Sequence, residues 1–222
     1  MLALVPRPPS GSLRVLAVGA HADDVEIGAG GTLLELVRTT PGACVDVLVL
    51  TGDAQRADEA RASARDFLSG AEHSVSVHAL PDGHLPTVWG EVKQVLEERA
   101  RTGPSPDLVL GPSRDDAHQD HRVVAEILPT VFRDVLTLGY EIPKWDGDLI
   151  RRSVYVPVGD EVARRKADLL MRHFPSQHRR PWWDPEVFLG LARLRGAECG
   201  SRYAEAFSCA KSVVTFNPGG PW

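Results

Sequence analysis

The stretch "LRVLAVGAHADDVEIGAGG", residues 13–31, runs an apolar segment straight into a charged one. Residues 13–20 form the short, β-branched apolar run expected of a strand buried on both faces. His21, Asp23 and Asp24 follow at once, and the small residues Gly28–Gly31 close the stretch. Three readings compete for charge at the end of a buried strand. An aspartate before a helix is most often its N-cap. A glycine-rich turn can cradle phosphate. Histidine and carboxylate together can hold a metal. The dinucleotide fingerprint G-x-G-x-x-G fails, because Leu33 stands where the third glycine is required. No G-K-[ST] follows either. The glycines read instead as small residues that let the backbone enter a helix over 30–42 tightly.

Outward from this stretch the chain alternates. Strand patterns cover 44–52, 74–80 and 106–112, and helix patterns cover 56–70, 87–102 and 121–136, with Pro129 as a kink or restart in the last. Strands alternating with helices of this length build βαβ units. The expected fold is therefore α/β: a Rossmann-like, doubly wound, mostly parallel sheet with helices on both faces. The C-terminal part is less regular. It holds a strand over 153–158, a helix over 160–174 capped by Asp160, and a helix within 181–200 opened by Asp184-Pro185. Residues 1–12 read as a flexible lead-in and 13–222 as one domain.

Composition narrows the function. The chain has 222 residues, 43% apolar and 25% charged, with a net charge of −5, which argues against a nucleic-acid surface. No apolar run of 18 residues is present, so no membrane span is expected. Cys44, Cys199 and Cys209 have no metal-ligand spacing, which suits a reduced, cytoplasmic protein. Any metal must then be held by histidine and carboxylate.

A second polar cluster, "DDAHQDH" at 115–121, follows the strand at 106–112. If strand order is 3-2-1-4-5, both clusters leave neighbouring strands at the point where the order reverses, and ligands bind there. Carboxylates crowded together raise one another's pKa unless a cation is present. Two or three imidazoles with one carboxylate suit zinc or a similar divalent ion, and the spare groups are free for acid–base work.

With these residues in place the chain resembles the LmbE-like, or PIG-L, zinc deacetylases. "AHADDVEIGAGGTL" is similar to their A-H-P-D-D-x-E-x-G-x-G-G-T-L signature, and "HQDH" to their H-x-D-H motif. The pieces "LTGD" (50–53), "RADEA" (56–60), "LPDGHL" (80–85), "SQ" (176–177) and "YAEAF" (203–207) fit in order. Ala22 departs from the pattern, where proline is commoner. The resemblance implies that His21, Asp24 and His121 hold zinc, or another divalent ion such as Fe²⁺. It implies that Asp23 is the general base. It makes His118 a protonated stabiliser of the oxyanion, oriented by Asp120, an arrangement in which His118 gains a raised pKa. Arg56 and Asp82 fall where relatives bind the sugar, and His84 lies beside Asp82.

The implied function is removal of an N-acetyl or other N-acyl group from an amino sugar such as N-acetylglucosamine, or from a glycoconjugate. The partner would be that small molecule, with no nucleic acid and no membrane, and relatives often form homo-oligomers. An amidase acting on a thiol-glycoconjugate or a non-sugar N-acyl substrate is the alternative within the class. A non-catalytic Rossmann-like nucleotide-binding module is the alternative outside it. Two further stretches stay open between a substrate lip and packing: "YEIPKWDGDL" (140–149) and "SQHRRPWW" (176–183). Glu26 has no assigned task.

Overall fold

Strand β1 (Arg14–Gly19) alternates its side chains between two cores: Val15 and Ala17 face one, Leu16 and Val18 the other. That double burial explains why its sequence is continuously apolar. In the computed structural model, which describes residues 3–6 and 11–214, β1 is followed by helix α1 (Asp24–Thr39), strand β2 (Cys44–Val49), helix α2 (Ala54–Phe67) and strand β3 (Glu72–Val77). Then come helix α3 (Trp89–Thr102), strand β4 (Leu108–Pro112), helix α4 (Gln119–Val131) and strand β5 (Leu136–Tyr140). Strand β6 (Val154–Val158), helix α5 (Asp160–His173), helix α6 (Pro185–Cys199) and strand β7 (Tyr203–Cys209) complete the order. Residues 1–2 and 7–10 of the expected lead-in, and 215–222 of the expected domain, lie outside the described residues.

The strands form one seven-stranded sheet in the order β3-β2-β1-β4-β5-β7-β6. Pairs from β3 through β5 are parallel, and β7 runs antiparallel to both β5 and β6. The doubly wound α/β fold expected from the sequence is the fold observed, extended by an antiparallel edge. Residues of α1, α2, α5 and α6 pack into one core and residues of α3 and α4 into the other. Order reverses between β1 and β4, so the segments after these two strands open side by side. No helix among the described residues is long and apolar enough to cross a membrane.

Several local expectations are corrected. Helix α1 begins at Asp24 rather than near residue 30, so Gly28–Gly31 lie inside it. Their role is close approach. A Cβ on Gly28 would meet the Tyr140 ring at 2.2 Å, and one on Gly30 would meet Phe67 at 2.7 Å. Helix α4 runs through Pro129 to Val131 without a restart. Gly159, not Asp160, occupies the N-cap of α5, and Asp160 pairs with Arg202. Asp184 does cap α6, accepting from Glu186 N, with Pro185 in the first turn.

Helix α1 is clamped from behind. Glu205, on β7, accepts from Gly31 N at 2.8 Å and Thr32 N at 2.7 Å. Lys166, on α5, donates to Ile27 O at 2.6 Å and to Glu205 Oε1 at 2.5 Å. Ile27 C=O and Gly31 N–H are partners in a regular helix. Here a buried ion pair holds both, one turn beyond the residues of the site.

Candidate active site

Two loops bring the charged side chains together. The chain leaving β1 places His21, Asp23 and Asp24 at the start of α1, and the chain leaving β4 places Asp116 to His121 at the start of α4. Asp23 occupies the N-cap position, yet its side chain makes no cap hydrogen bond. Its Oδ1 instead accepts from Arg56 Nη2 at 2.7 Å. Capping therefore does not explain this buried aspartate. Asp24, in the first turn, accepts from His21 N at 2.8 Å through Oδ2.

His21, Asp24 and His121 converge. His21 Nδ1 lies 3.2 Å from His121 Nε2 and 3.4 Å from Asp24 Oδ2, and His121 Nε2 lies 3.2 Å from Asp24 Oδ1. Ligand atoms about 2.0–2.2 Å from a tetrahedral zinc sit about 3.3–3.6 Å from one another. The three residues therefore fit such an ion in donor type, in number and in spacing. Each imidazole is also braced at its other nitrogen by carboxylate, as metal-bound histidines usually are. His21 Nε2 faces Asp82 Oδ1 at 3.1 Å and Asp120 Oδ2 at 3.3 Å. His121 Nδ1 lies 2.8 Å from Asp116 Oδ2, close enough for a charge pair although its N–H is not aimed along that line.

A second triad, His21, His118 and Asp120, also comes close. It suits a metal less, because the Asp120 carboxylate is already committed. It accepts from Gly83 N at 2.8 Å and Leu85 N at 3.0 Å besides facing His21. Gly83 turns its N–H toward Asp120 from a left-handed conformation, φ +77°, that favours glycine.

The charges follow from these contacts. Burial would raise Asp24, but His121 and His21 hold its carboxyl well below the usual range. Burial opposes a charge on His121, yet Asp24 and Asp116 push it up to about 9. Burial raises Asp23 against the pull of Arg56, which suits a base. Glu26 is buried near Ser63 on α2, and burial pushes its carboxyl up to about 8, so it sits in the interior as a neutral acid.

His118 and Asp120 are not paired as expected. The Asp120 backbone N–H donates to His118 Nδ1 at 3.2 Å, so that nitrogen is unprotonated and the ring proton lies on Nε2. Burial, then His121 and His21, hold His118 below the ordinary imidazole value, the reverse of the expected rise. A metal ion at the ligands would push the same way. The Asp120 carboxylate orients His21 and the 83–85 turn instead.

A cavity of about 640 Å³ opens over the cluster, and His21, Asp23, Asp24, His118 and His121 line its inner end. Arg56 and Asp82 also line it, Asp82 with its side chain 77% exposed. His84 is exposed and outside the cavity wall, so the structure does not bring it to the site. The sequence placed Asp116 in the second cluster without a role; it sits behind His121 and is itself held by Lys144 at 2.9 Å. Sequence reasoning missed Glu59 and Ser176, which brace Arg56 at 2.7 and 2.8 Å. The doubled aspartate ahead of "HQDH" was the available signal for Asp116.

The family model described as "PIG-L: GlcNAc-PI de-N-acetylase" matches residues 16–132, just over half of the chain and both polar loops. The chain belongs to the PIG-L family. N-deacetylase-type hydrolysis is therefore its class of activity. Solved structures share the fold at low identity. A conserved protein of Thermus thermophilus is 20% identical with a TM-score of 0.72, over 95% of this chain and 100% of that one. The N,N'-diacetylchitobiose deacetylase of Pyrococcus horikoshii is 20% identical with a TM-score of 0.63, over 88% and 83%. The 4-carboxy-2-hydroxymuconate hydratase GalB of Pseudomonas putida KT2440 is 18% identical with a TM-score of 0.72, over 92% and 99%.

For this PIG-L chain the ligand geometry gives a direct expectation. His21→Ala, Asp24→Ala or His121→Ala should each lose bound metal. Elemental analysis of the purified variants checks it, and full occupancy in any of them contradicts the ligand set.

Proposed function

We propose that the chain is a metal-dependent N-deacylase, with zinc as the preferred ion, acting on an N-acetylated amino sugar or glycoconjugate. The observation that carries the reading is the convergence of His21, Asp24 and His121 within 3.4 Å of one another, beside a buried aspartate that is not a cap. An ion held by those three residues supplies a Lewis acid that makes water nucleophilic near neutral pH and polarises a carbonyl.

The chain's own residues do the rest. Arg56 fixes Asp23 through Oδ1, so the carboxylate is held in one orientation at the cavity wall. Asp23 takes a proton from the attacking water as its oxygen bonds to the acyl carbon. His118 lines the cavity with its Nε2–H directed to no protein acceptor among the described residues. That N–H donates to the carbonyl oxygen as negative charge develops there, and it needs no imidazolium to do so. When the carbon–nitrogen bond breaks, the proton held by Asp23 passes to the departing nitrogen. The products are a free amine and a carboxylic acid, which gives up its proton to solvent to become the carboxylate.

The test is acetate release from a panel of N-acetylated amino sugars, their nucleotide derivatives and their glycosides. Stoichiometric acetate and free amine from at least one member are expected. Folded, metal-loaded protein that releases none across the panel would overturn the reading and return the nucleotide-binding module to first place.

A further inference from the structure

The cavity is larger than the chemistry at its inner end requires. Its volume of about 640 Å³ lies within the range of about 300–1,000 Å³ that accommodates a whole drug-sized ligand. The outer wall comes from two loops, 141–153 between β5 and β6 and 174–184 between α5 and α6. These are the two stretches whose purpose the sequence leaves open.

Trp145 stands on the first loop with 62% of its surface exposed. It is not loosely placed. Trp182 meets it edge-on, with ring centroids 6.2 Å apart and planes at 84°. Trp182 meets Trp183 at 5.6 Å, and Trp183 meets buried Phe174 and Phe188 at 5.9 and 5.2 Å. Edge-to-face contacts therefore run unbroken from the core to the cavity mouth. An aromatic ring held in water by such a scaffold offers a preorganised face to a ligand.

Arg180 lies over that ring, with Cζ 5.9 Å from its centroid. The cavity wall carries two other basic side chains of this kind, and both are neutralised. Arg56 pairs with Asp23 and Glu59, and Lys144 with Asp116, Asp146 and Asp148. Among the described residues, Arg180 has no carboxylate partner. Its Nε donates to Gln177 Oε1 at 2.6 Å, which fixes the guanidinium and leaves both terminal nitrogens without a protein acceptor. Gln177 is in turn bonded to Ser176, the residue that braces Arg56.

We propose that Trp145, Trp182 and Arg180 form a carrier subsite, taking a flat ring attached on the amine side of the scissile amide and bearing an oxyanion. The ring lies on Trp145, and the oxyanion, a carboxylate or a phosphate, accepts the two terminal nitrogens of Arg180 as a fork. The subsite rests on the N-deacylase reading for the identity of the inner group, but its own chemistry is separable from turnover.

Isothermal titration of the metal-loaded protein with three probes tests it: phenyl N-acetyl-β-glucosaminide and its 4-carboxy and 4-phospho derivatives. At least one anionic probe should bind about ten-fold tighter than the neutral one, and the two anionic arms tell carboxylate from phosphate. Arg180→Gln should bring that ratio close to one, and Trp145→Ala should weaken all three probes. Equal affinities in the wild type, no binding of any probe, or a preference that survives Arg180→Gln overturns the subsite. Acetate release measured on the same samples separates the two claims. Charge-selective binding without release from any probe supports the subsite and rejects the hydrolase. Release from all three with no charge preference supports the hydrolase and rejects the subsite.

Discussion

Asp23→Ala is expected to cut acetate release by about 10²–10⁴-fold, the usual worth of a positioned acid–base group, while the protein keeps its metal. The expectation follows from what Asp23 touches. It is buried, it supplies none of the three converging ligand atoms, and among the described residues its one side-chain partner is Arg56. Removing it spares His21, Asp24 and His121. Arg56 still has Glu59 and Ser176, so no buried cation is abandoned. The fold around α1 is untouched, because the backbone carbonyl of residue 23 still accepts from Ile27 N. Kinetics and elemental analysis on one preparation check both halves. Near-normal turnover would remove Asp23 from the proton path, and loss of metal would make it a ligand.

The second large effect concerns stability. Glu205→Leu should destabilise the fold by about 3–5 kcal/mol, because it leaves the Lys166 ammonium buried without its partner. For a chain of this length that lowers the melting temperature by about 10 °C. The same substitution strips the side-chain acceptor from Gly31 N and Thr32 N. Adding Lys166→Met should recover much of the loss, since an apolar pair no longer carries a stranded charge. Thermal denaturation of the single and double variants measures both. A single-variant shift below about 2 °C would mean that the clamp contributes little.

The sheet was legible because its signals are local. Apolar runs, and in β3 an alternating pattern, separated by helical patterns identified β1, β2, β3, β4 and β6, and the doubly wound order placed both polar loops at one crevice. Strands β5 and β7 were not read. β5 is the short "LTLGY" directly after a helix, and β7 pairs antiparallel with partners far along the chain. The start of α1 was misplaced because Gly28–Gly31 look like a turn. These glycines instead make room within the helix for Tyr140 and Phe67, residues with no local trace in that stretch.

The site divides the same way. Residue types and spacing marked the two polar clusters, and the family resemblance singled out His21, Asp24 and His121 within them. The expected pairing of the Asp120 carboxylate with His118 does not form: His118 is the extended N-cap of α4 and meets the Asp120 backbone N–H. Asp120 turns instead to backbone 35–37 residues earlier. Asp116 lies behind His121 and is itself held by Lys144, and Glu59 and Ser176 hold Arg56. Each of these contacts except Arg56 to Glu59 depends on the fold rather than on helical spacing, so no periodicity in the sequence announces it.

The central claim is hydrolysis that depends on one metal held by His21, Asp24 and His121. The most direct measurement is acetate release by chelator-treated protein as zinc is returned in steps. Activity should be absent in the stripped protein and rise to a plateau at one zinc per chain. Full activity in verified metal-free protein would contradict the account.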